Sequence, residues 1–128
     1  MADHDHRERY LALAEAIVGA FENIRSFLTQ LPVPVAVPDL DPEATDTTKA
    51  LYGLDRVRQL IKAEPISEGH KHAIESMILD WFAAYEVGAL YRLVGPAPWR
   101  LDAIEHALER LMVSGDMIEN DQLGDDES

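Results

Sequence analysis

The chain has 128 residues, no cysteine, and 24 acidic against 11 basic residues, for a formal net charge of −13. This length fits one domain with a real core, and the lack of cysteine excludes disulfides, thiolate metal sites and cysteine nucleophiles. Such an acid excess repels phosphates, which argues against nucleic acid and anionic membranes as partners and favours a basic protein surface. The charge is unevenly spread: residues 32–48 carry four acids and no Lys or Arg, and residues 101–128 carry nine acids against Arg110 alone.

The charged N-terminus runs straight into an amphipathic pattern with no apolar leader, so no secretory signal is expected and a reducing cytoplasm is the expected compartment. A first helix is predicted over residues 7–30. Tyr10, Ala14, Ile17, Phe21, Ile24, Leu28 and Leu31 recur at spacings of four and three, and Leu11, Leu13, Val18 and Phe27 widen the seam on both sides. A helix with one neighbour needs a narrow stripe, and this one asks for two or more. Ala12, Gly19 and Ser26, seven residues apart, would permit close approach of another backbone.

The run from Pro32 to Pro38, Pro-Val-Pro-Val-Ala-Val-Pro, cannot propagate a helix and is expected to be extended, a strap with its valines against the bundle. A second helix is predicted over residues 46–63, burying Leu51, Leu54, Val57, Leu60 and Ile61, and Glu64-Pro65 stops it. Ser67 is the expected N-cap of a third helix that ends at Gly95. A tight turn, Pro96-Ala97-Pro98-Trp99, leads to a fourth helix over residues 100–114, with Gly115 as its left-handed cap. The expected organisation is one helical domain over residues 1–118 and an acidic flexible tail over 119–128.

The third helix is greasy around most of its circumference, but not long and apolar enough without charge to span a membrane. At about 100° per residue, Asp80, Glu86 and Arg92 point in three directions roughly 120° apart, so one rotation cannot give all three to water. These are the buried polar candidates. Asp80, left among Ala73, Ser76, Ala84 and Tyr91, is expected to pair with an Arg or Tyr of another helix.

Glu68 with His72, and Asp102 with His106, are four apart as helical metal pairs are, but the Glu-x-x-His pattern of di-iron bundles is missing. No cofactor and no metal site is expected. The stretch from Ala107 to Ile118, Ala-Leu-Glu-Arg-Leu-Met-Val-Ser-Gly-Asp-Met-Ile, resembles the Leu-x-Val-Ser-x-x-x-Ile turn of helix-turn-helix domains. No Lys or Arg follows Leu111, however, and such a recognition helix needs cations for phosphates; DNA binding is rejected.

The sequence therefore reads as an all-α, four-helix bundle-like domain with a long Pro/Val-rich connection between helices 1 and 2. Helices 1 and 3 are expected at its centre. The expected function is a small acidic, non-enzymatic interaction module, an adaptor, inhibitor or nucleic-acid mimic, that associates through apolar helix surface as a homodimer or with a basic protein. Expected partner-facing residues are Phe21, Phe27 and Trp99 and the acids Asp116, Glu119 and Asp121. The competing class is a small helical enzyme or ligand-binding bundle with a pocket around Asp80, Glu86 and His72 or His106.

Overall fold

A computed structural model describes residues 2–38, 40 and 47–119. Among these residues the chain forms four α-helices and no strand: α1 (Ala2–Leu28), α2 (Thr48–Leu60), α3 (Glu68–Val94) and α4 (Pro98–Glu119), with a 3-10 turn at Ile61–Ala63 prolonging α2. The caps of α3 explain its limits. The Ser67 side chain accepts from the His70 backbone N–H, and Gly95 ends the helix at φ 91°, a left-handed value that favours glycine.

Both ends of α4 differ from the sequence expectation. It begins at Pro98, which suits a first helical turn because its missing N–H has no intrahelical partner there. It also runs through Gly115, which lies inside the helix rather than capping it. Residues 107–118 are thus one unbroken helix with no turn. Burial of Leu111 and partial burial of Met117 and Ile118 carry the helix past the glycine.

Contacts along the helices set their directions. Tyr10, near the start of α1, stacks on Tyr91, near the end of α3, at 4.6 Å. Arg9 pairs with Asp102 and Glu105 at the start of α4, each at 2.9 Å. On α2, Thr47 Oγ1 is 3.4 Å from Tyr85 Oη and Arg58 Nε is 3.4 Å from Glu75. So α1, α2 and α4 all run against α3, and α3 is the hub that packs on all three. Among the described residues α1 makes no close backbone approach to α2.

The strap explains that gap. Parallel helices cannot be joined by a short turn, and residues 32–38 run back from the end of α1 toward α2. Val33 N–H donates to the Glu64 carboxylate at 3.1 Å, Arg25 Nε donates to Val37 C=O at 2.8 Å, and Pro38 lies so near α2 that a Cβ on Gly53 would meet its Cδ at 2.9 Å. Val35, Val37 and Leu40 are buried, while Val33 faces solvent. The segment acts as a fifth core element.

The core centres on Trp81, fully buried against Phe21, Phe82 and Tyr85, whose ring centroids lie 5.0, 5.5 and 5.1 Å away. Its indole N–H donates to the Ile17 carbonyl of α1 at 2.8 Å, the partner a buried indole needs. Ile24, Leu28, Leu54, Ile74, Ile78 and Ile104 close around this cluster. Leu60, expected inside, is exposed, because Leu54, Val57 and Ile61 define the buried face of α2 and Leu60 falls off it. Gly19 likewise meets no neighbour, so the small-residue repeat of α1 serves no close helix contact there.

Candidate interaction surfaces

The residues singled out in the sequence divide sharply. Phe21 is fully buried against Trp81, so it is a core residue and not partner-facing. Glu86 and Arg92 are both exposed, not buried. The helix solves its threefold polar problem by leaving its outer face and its last turn to water, where Arg92 also suits the negative end of the helix dipole. Asp80 is the half-buried member: its side chain is 16% exposed and pairs with Arg110 of α4, Nε to Oδ1 3.4 Å. Asp80 and His106 share a shallow groove with Glu109 and Arg110, whereas Glu86 and His72 lie on the outer face of α3. Among the described residues no three His, Asp or Glu side chains gather as metal ligands would.

Among the described residues, two open surfaces carry the remaining candidates. The first is the outer face of α3 with the turn that follows it. Leu79, Leu90, Leu93 and Val94 are exposed there, Leu93 at 83%, together with Trp99 at 66%. Leu79, Ala83, Glu86, Leu90 and Leu93 follow one another at spacings of four, three, four and three, a single stripe on the side turned away from Trp81. Glu86, in the middle, carries no ion pair among the described residues. Arg100 shapes the turn: its Nη1 donates to the Gly95 carbonyl at 2.7 Å and its guanidinium lies 5.8 Å from the centre of the Trp99 ring.

The second surface is a cleft of about 570 Å3 between the end of α1 and the end of α4. Phe27, Met77, Leu111, Met112 and Ile118 supply its apolar lining. Asp116 and Glu119 stand on its α4 side, both exposed, while Asn23, Ser26 and Gln30 line its α1 side. Phe27, Asp116 and Glu119, named separately from the sequence, thus meet at one place; Asp121 lies outside the described residues. Sequence reasoning misses Met77 and Met112 as part of this cleft. The usable signal is Met112, an apolar residue beside the buried Leu111 that the α4 periodicity leaves without a neighbour.

Electrostatics at the α1–α3 end are structural. The Tyr10 phenol is raised above its ordinary value by burial under Tyr91, and nearby Arg92 pulls the other way. The hydrogen bond to Asp102 raises the Arg9 guanidinium, desolvation opposes it, and the hydrogen bond to Glu105 adds a smaller rise.

The fold and its open surfaces define an all-α helical bundle built around one central helix, and no described helix is long and apolar enough to cross a membrane. No family model matches the chain, and no match was found among curated proteins or solved structures.

Proposed function

We propose that the protein is a small, acidic, non-enzymatic interaction module of the cytoplasm that associates through helix surface its own core leaves uncovered. One observation carries this reading: the exposed Leu79, Leu90 and Leu93 share one stripe of α3, and Val94 and Trp99 are exposed at the turn beyond it. Scattered apolar exposure is ordinary on any protein, but leucines repeated along one helix face offer a surface for another helix. The arrangement favours a second copy of the chain as occupant. Leu79 and Leu93 each stand seven residues from Glu86, so a two-fold axis through Glu86 sets Leu79 of one antiparallel α3 against Leu93 of the other, as an isologous interface requires.

The double substitution Leu79→Glu/Leu90→Glu tests this. In the single chain both side chains reach solvent, so the variant should keep the wild-type helical content and elute later on size exclusion, with a lower melting temperature as the dimer's mass-action stabilisation is lost. An unchanged elution volume would dismiss the α3 face as the self-association surface.

A further inference from the structure

From the α1–α4 cleft we infer that the module captures a basic amphipathic helix of a partner protein. The inference rests on the interaction reading above but uses a surface separate from the α3 stripe. The cleft has the parts that a helix-in-groove contact uses: an apolar floor and polar margins. Met112 makes the cleft adaptable, since an unbranched thioether reshapes around different apolar anchors, and the buried Met77 lies beneath it. Met112 is 64% exposed and has most of its surface still to bury.

Charge decides among occupants. Asp116 and Glu119 are three apart on α4, so their carboxylates share one flank. No Lys, Arg or His lines the cleft, and neither acid has an ion pair among the described residues. The opposite wall offers neutral amide and hydroxyl groups from Asn23, Ser26 and Gln30. An incoming helix would therefore seat its apolar side on Met112, Phe27 and Ile118, with Lys or Arg along the flank turned to α4. Two rival occupants are disfavoured by the same acids. Residues 120–128 carry four acids and no cation, and a second copy seated cleft to cleft would set Asp116 and Glu119 against their own counterparts.

The test uses the full chain and a labelled synthetic helix of Leu and Lys at amphipathic spacing, about five turns long. A control peptide has the same composition with its periodicity scrambled. Anisotropy titrations should show the amphipathic peptide binding about tenfold tighter than the scrambled one. Met112→Gln should weaken it at least about fivefold. Asp116→Asn/Glu119→Gln should weaken it and flatten its dependence on salt. The variant Leu79→Glu/Leu90→Glu should bind the peptide as wild type does. Equal binding of both peptides, indifferent to Met112→Gln, would reduce the effect to bulk charge and overturn the inference. Loss of the peptide on Leu79→Glu/Leu90→Glu with full retention on Met112→Gln would move docking to α3, sinking the cleft assignment while sparing the wider reading. Indifference to every variant would sink both.

Discussion

Trp81 ties α3 to α1 twice, through its hydrogen bond to the Ile17 carbonyl and through aromatic contact with Phe21. Trp81→Phe removes the donor and leaves a void in a rigid core, so it should lower unfolding stability by about 2–4 kcal/mol, read from urea midpoints at unchanged slope. Tyr10 offers a pH signature. Its folded phenol titrates above the ordinary value of 10.0, so folding favours the neutral ring. That contribution is complete below the unfolded value and disappears as pH rises through the folded one. Stability should therefore fall on the alkaline side of pH 10, and Tyr10→Phe should reduce that fall in melts followed against pH. At this scale the sequence was legible where local chemistry decides, as at Ser67 and Gly95. It was not legible where depth decides. Phe21 and Phe27 occupy adjoining parts of one broad seam, and only the position of Trp81 sends the first inside and leaves the second at a cleft.

Among the elements, the strap is the least ordinary. Its prolines announced an extended segment, but the reason for its length is a matter of direction: α1 and α2 are parallel, and no periodicity within either helix states that. Two contacts hold it. The Glu64 carboxylate, on a residue only 5% exposed, accepts from Val33 N–H, and Gly53 leaves room for Pro38. Glu64→Ala should cost about 1–3 kcal/mol by stranding a donor, and Glu64→Gln less, because an amide oxygen still accepts. Gly53→Ala should cost about 1–3 kcal/mol, since the proline ring cannot swing aside as a flexible side chain would. Chemical denaturation of the three variants checks both statements. The last turn of α4 deserves a different physical reading: an internal glycine weakens a helix by roughly 1 kcal/mol relative to alanine. Burial of Leu111 and partial burial of Met117 and Ile118 offset that cost at Gly115.

For the molecule as a whole, the greasy circumference of α3 is the feature that its own fold only partly satisfies. Contacts with α1, α2 and α4 cover Trp81, Ile74 and Ile78, while Leu79, Leu90 and Leu93 stay open. The sequence carried this surplus plainly, because periodicity counts apolar residues regardless of what covers them. It could not say which flank would stay bare, since that depends on where α2 and α4 settle around α3. Two opposed salt dependences follow. Self-association brings together chains of net charge −13 and two Glu86 carboxylates, so added salt should strengthen it; capture of a basic helix should weaken instead.

The most direct measurement is the mass in solution by light scattering, for the wild type and for Glu86→Gln, across ionic strength. Twice the chain mass is expected for the wild type at moderate salt, with more dimer as salt rises and a tighter dimer for Glu86→Gln. A single-chain mass for both proteins at every salt concentration would contradict the account, because the exposed α3 stripe would then have no second copy to cover it.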